Sequence, residues 1–126
     1  MSGKLSQPWL DKADADLGLG RVALASGYIE HTCFLMQQCM EKALKGYLLD
    51  KTATYPRTHT LIQLLTECSR LDASFVSFRA DCLIVDRYYI PTRYPDSAPP
   101  SSLQQSDALR AMTAANALLQ FVKARV

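Results

Sequence analysis

The stretch Gly27-Tyr28-Ile29-Glu30-His31-Thr32-Cys33-Phe34-Leu35-Met36-Gln37-Gln38-Cys39-Met40-Glu41-Lys42-Ala43-Leu44-Lys45-Gly46-Tyr47-Leu48-Leu49-Asp50 decides the fold. It holds no proline and is long enough for a helix of about 35 Å at 1.5 Å per residue. Glu30, Gln37, Glu41 and Lys45 fall on one narrow stripe at helical spacing. The remaining arc carries Tyr28, Ile29, Cys33, Leu35, Met36, Cys39, Met40, Ala43 and Tyr47. A helix with so thin a polar stripe must be covered on several sides, so it is expected at the centre of a helical bundle, with that stripe facing water.

Working outward, the chain before it predicts a helix from Pro8 to Ala25, with Pro8 in the first turn. Trp9, Leu10, Ala13, Leu17, Val22 and Leu24 are its apolar candidates. Gly18 and Gly20 each weaken it by about 1 kcal/mol relative to Ala, or else let another helix approach closely. After the central helix comes the polar connection Lys51–Arg57. Thr58 or Thr60 then opens a third helix carrying Leu61, Ile62, Leu64, Leu65 and Cys68, and Thr60 with Gln63 fits a capping box. Asp72 caps a fourth, with Phe75, Phe78, Cys82, Val85 and Tyr89 spaced three and four apart. Pro91 ends it. Ser101 or Ser102 caps the last helix, whose inward face is Ala108, Met112, Ala115, Leu119 and Val122. The expected fold is all-α: a five-helix, up-and-down antiparallel bundle with a four-helix core and one short helix, in one domain over residues 1–126.

Composition narrows the function classes. The 126 residues suffice for a self-supporting core, with 48% hydrophobic and 21% charged residues. No apolar run approaches the roughly 20 residues needed to span a bilayer, and Met1–Pro8 lacks an apolar signal core. A cytoplasmic location without membrane contact is the expectation. A net charge of +2 is too small for nucleic-acid binding by bulk electrostatics, so any such contact must be local. The four cysteines, Cys33, Cys39, Cys68 and Cys82, form no CxxC pair and sit among apolar neighbours. They read as buried reduced thiols; neither a metal site nor a cofactor is expected.

The segment Asp86-Arg87-Tyr88-Tyr89-Ile90-Pro91-Thr92-Arg93-Tyr94-Pro95-Asp96 stands apart. Three tyrosines, two arginines and two aspartates lie within eleven residues, and its prolines stop the helix. Arg offers a planar fork of donors, Tyr a flat ring and Asp a fixed acceptor. Arg87 and Arg93 are therefore candidate phosphate ligands. Tyr88 and Tyr94 are candidate stacking faces, and Asp96 and Glu41 candidate orienting carboxylates. Lys42 and Lys45 add secondary charge along the central helix, unless they pair with Glu41 and Asp50. His59 and His31 read as a loop-to-helix residue and a solvated helix residue.

Three elements in order resemble the HEPN family of helical domains: Gln37, Glu41, Lys42 and Lys45 on the central helix; Arg57-Thr58-His59-Thr60-Leu61; and Arg93-Tyr94-Pro95. The resemblance spans roughly Trp9 to Arg125. It implies a five-helix bundle that homodimerises through its long helices around a polar cleft. It also implies partnership with a minimal nucleotidyltransferase in a two-component, toxin–antitoxin-like system, and nucleotide or RNA as ligand. Ribonuclease members of the family carry Arg followed four to six residues later by His. Here no histidine follows Arg87 or Arg93 at that spacing, so no catalytic residue is assigned and ribonuclease activity is expected to be absent or weak. The alternatives are a metal-free ribonuclease with a degenerate site, built on Arg93 with Asp96 or a cross-dimer His59, and a protein–protein scaffold.

Overall fold

The structure, a computed structural model, describes residues 5–89 and 103–126. The five helices among them are α1 (Gln7–Ala25), α2 (Ile29–Thr52), α3 (Leu61–Leu71), α4 (Arg79–Asp86) and α5 (Gln105–Lys123), and a 3-10 turn, Ala73–Phe78, leads into α4. No strand occurs among the described residues. The expected all-α bundle is what forms, with α4 as its short member.

α1 and α2 make a helical hairpin, and Gly27 sets its corner. Its φ of +84° is the left-handed region that a side chain disfavours. Gly27 N–H donates to the Leu24 carbonyl at 3.0 Å and Tyr28 N–H to that of Ala23 at 2.8 Å. These two bonds satisfy carbonyls that the end of α1 would otherwise leave open. The helices meet closely at two small residues. An added Cβ on Gly20 would lie 2.2 Å from Met36 Cε, and one on Gly46 would lie 3.3 Å from Trp9 Cβ. Gly20 thus answers the close-approach reading, whereas a Cβ on Gly18 would meet nothing within 4 Å.

α2 touches every other helix and is central, as its pattern requires. Met36, Met40, Leu44 and Cys39 are fully buried, against Leu10, Ala13 and Leu17 of α1 and Ala111, Leu118 and Leu119 of α5 in one core cluster. Phe75 and Phe78 close the bundle around Phe121, with ring centroids 4.9 and 5.0 Å away.

Several local expectations change. Val22 is turned outward, 62% exposed, beside exposed Leu19 and Tyr28. The polar stripe on α2 does not face water beyond Glu30: Gln37, Glu41 and Lys45 are 0, 5 and 6% exposed. The chain between α2 and α3 folds over them, and their polar groups are satisfied internally. Thr60 is the N-cap of α3 but makes no side-chain capping bond, and Gln63 instead accepts from Thr58 Oγ1. The free N–H groups there go to Asp86, whose carboxylate accepts from Leu61 N at 2.6 Å and Ile62 N at 3.1 Å. Asp72 does cap, accepting from Ser74 N at 3.0 Å, but it caps the 3-10 turn. The cap of α5 is Gln104, whose N–H donates to Asp107 at 2.7 Å. The caps expected at Ser101 or Ser102, and the stop at Pro91, lie outside the described residues.

Candidate functional site

The end of α4 brings part of the predicted site to the surface and turns part of it inward. α4 tightens as it ends: Arg87 N–H donates to the Ile84 carbonyl and Tyr88 N–H to that of Val85, both three residues back. At three residues per turn, residue 88 lies directly over residue 85. Tyr88 therefore follows Phe75, Phe78, Cys82 and Val85 into the core and is only 5% exposed. Its hydroxyl lies 3.4 Å from Asp107 Oδ1. Burial, with the Asp107 charge, pushes the phenol up to about 12. The stacking face expected at Tyr88 is thus withdrawn from solvent, and the neighbouring Tyr89 stands half-buried in its place.

Arg87 is exposed, and its guanidinium makes no ion pair or side-chain hydrogen bond among the described residues. Arg93, Tyr94 and Asp96 lie outside the described residues. Asp86, one step before Arg87, is spent on the α3 cap. Its carboxyl is raised above the usual range because burial outweighs the two N–H donors, and the nearby Glu41 charge adds to the rise.

Beneath this corner lies a polar cluster that spacing on α2 only half revealed. Glu41 Oε2 accepts from Lys45 Nζ at 2.8 Å and lies 3.3 Å from His59 Nδ1. Gln37 Nε2 donates to Glu41 Oε1 at 3.4 Å and to the His59 carbonyl at 2.9 Å. Lys45 Nζ also sits 5.9 and 5.1 Å from the ring centres of Trp9 and Tyr55, which pack edge to face. The pairing alternative is therefore realised for Lys45, which has little reach to an outside anion. Lys42 pairs across the hairpin with Asp16, 2.5 Å away. Both carboxylate oxygens of Glu41 are thus taken up inside the fold, by Lys45 and Gln37.

Sequence reasoning gave His59 only to the cross-dimer ribonuclease alternative and Tyr89 to the apolar stripe of the fourth helix. Their rings stack at 5.5 Å and 12°, although 30 positions apart in sequence. The visible signal was the row Gln37, Glu41 and Lys45, which needed partners from another segment. His31 is exposed, as expected, with its ring 5.7 Å from that of Tyr28.

The cysteines belong to the core. All four cysteines are buried and free. Burial pushes the thiols of Cys33, Cys39 and Cys82 up to about 12 and that of Cys68 higher still. No group of three or more His, Cys, Asp or Glu that could hold a metal occurs among the described residues. Two surface hollows, of about 480 and 370 Å³, flank Pro56 on the α2–α3 connection and contain none of the predicted site residues. Among the described residues no helix is long and apolar enough to cross a membrane.

An all-α bundle packed round one enclosed central helix defines the class. The HEPN domain family matches over residues 6–125, and the chain belongs to that family. The crystal structure of TT1696 from Thermus thermophilus is similar over all of both chains, with a TM-score of 0.85 and 28% identity. That of ST0689, an archaeal HEPN homologue, covers 97% of this chain and 98% of its own, with a TM-score of 0.78 and 32% identity. No curated protein matches the chain.

Proposed function

We propose that this chain is a dimeric HEPN domain that binds nucleotide or RNA phosphate at the corner after α4, as the non-catalytic partner of a minimal nucleotidyltransferase. The observation that carries this reading is the exposed Arg87 guanidinium, unpaired among the described residues. Had it been tied to its own backbone or a carboxylate, no anion could displace that partner cheaply. Arg93 supplies the second fork, Tyr94 a stacking face and Asp96 an orienting acceptor in this proposal. Lys42 contributes only if its pair with Asp16 opens, and Lys45 stays with Glu41.

Exposed Leu19, Val22 and Tyr28 line an apolar groove of about 340 Å³ on the α1–α2 hairpin. In this reading the groove is the surface that a second copy covers. Calorimetry with ATP, GTP and short RNAs tests the ligand. Binding weakened by Arg87→Ala and Arg93→Ala is the expected result, and no binding by any of them rejects the reading.

A ribonuclease reading is favoured by one contact, that of Glu41 with Nδ1 of the exposed His59 imidazole. Against it stands the missing histidine after Arg87 and Arg93. Single-stranded RNA should remain intact on incubation with the pure protein. Cleavage abolished by His59→Ala or Arg93→Ala would put the ribonuclease first.

A further inference from the structure

Phe34, Tyr89 and His59 form a column of rings. Phe34 and Tyr89 lie 6.0 Å apart at 40°, and Tyr89 and His59 lie 5.5 Å apart at 12°. His59 is the outermost member, and its side chain is 65% exposed. One face of the imidazole is backed by Tyr89, so the exposure falls on the opposite face and the outer edge.

This ring is held at two points. Nδ1 is fixed by Glu41, itself fixed by Lys45, and the His59 carbonyl accepts from Gln37. A flat surface ring that is already ordered loses little freedom when another flat ring covers it.

We propose that the exposed face of His59, backed by Tyr89 and Phe34, is a base-stacking platform for a nucleotide. The proposal rests on the anion site proposed above and adds the base to it. Stacking needs a π-face and no particular hydrogen-bond pattern, so a purine, with the larger face, is the preferred base. A free nucleotide and the 5′-phosphorylated end of an RNA strand present the same base and phosphate.

Calorimetry with AMP, ribose 5-phosphate and 5′-phosphorylated diadenylate separates the parts. AMP should bind about tenfold more tightly than ribose 5-phosphate, the advantage of one stacked base. His59→Ala should abolish that difference, His59→Phe should preserve it, and Arg87→Ala should weaken both ligands alike. AMP, but not ribose 5-phosphate, should move the His59 ring protons upfield in the NMR spectrum. Affinity for diadenylate equal to that for AMP assigns the platform to a free nucleotide; higher affinity assigns it to a strand end. Equal affinity of the wild type for AMP and ribose 5-phosphate, or an AMP advantage that survives His59→Ala, removes the platform and leaves the phosphate site standing. Failure of all three to bind the wild type removes both.

Discussion

Glu41 and Lys45 illustrate how much a single side chain depends on its partner. Their side chains are 7 and 8% exposed and lie 2.8 Å apart. Removing one partner strands a buried charge, at a cost of about 3–5 kcal/mol. Glu41→Ala should therefore lower stability by about that much in urea denaturation. Replacing both together, Glu41→Leu with Lys45→Met, should cost much less than the sum of the single changes. Asp86 poses the opposite balance. Burial raises its carboxyl, yet it alone satisfies two N–H groups at the start of α3. Asp86→Ala should destabilise by about 2 kcal/mol, since leaving the donors open costs more than burying the carboxylate. The denaturation midpoint checks it, and a loss below about 0.5 kcal/mol would show water taking over the cap. Of these pairings only that of Glu41 with Lys45, four residues on, is legible locally. Glu41, Lys45 and Gln37 can be placed on one row, but Asp86 and His59 reach their partners from 25 and 18 residues away.

At the scale of elements, the helices follow from periodicity, and their ends do not. Spacing places α2 within two residues at either end because an apolar arc so broad has only one way to be buried. It misplaces the cap of α3 because Thr60 and Gln63 match a local motif while a carboxylate from another helix outcompetes it. Tyr88 and Tyr89 exchange faces because a closing 3-10 turn advances each residue further than an α-helix does. The two glycines of α1 separate propensity from packing. Gly18→Ala should stabilise by about 1 kcal/mol, since its Cβ meets nothing. Gly20→Ala should show no such gain, because its Cβ falls 2.2 Å from a methionine with no exposed surface. Paired urea midpoints decide between them.

Across the whole molecule, the C-terminal turn is fastened to the middle of the chain. Arg125 Nε donates to Asp72 at 2.9 Å, and its guanidinium lies 3.4 Å above the Phe121 ring. The Ser74 hydroxyl and N–H, and then Arg125, hold the Asp72 carboxyl below its ordinary value of 3.8. A carboxyl depressed in the fold stabilises it above the unfolded value and loses that effect as pH falls through the folded one. The melting temperature should drop below pH 3.8, and Asp72→Asn should flatten that limb. Thiol labelling reports on the same global structure. With burial suppressing the thiolate, all four cysteines should resist alkylation at pH 8 in the native protein and react together in denaturant. If the α1–α2 groove is a dimer face, Val22→Glu should yield a monomer by light scattering without loss of helix content.

The amino-acid order alone determined that five amphipathic segments would form helices and that the second would be enclosed. Those properties reside in spacing, which burial reads along one element at a time. Which polar groups face water, which tyrosine turns outward and where His59 finds its neighbours were settled by tertiary packing. Each depends on atoms from separate segments meeting within hydrogen-bond or stacking distance, and a linear pattern does not contain that distance.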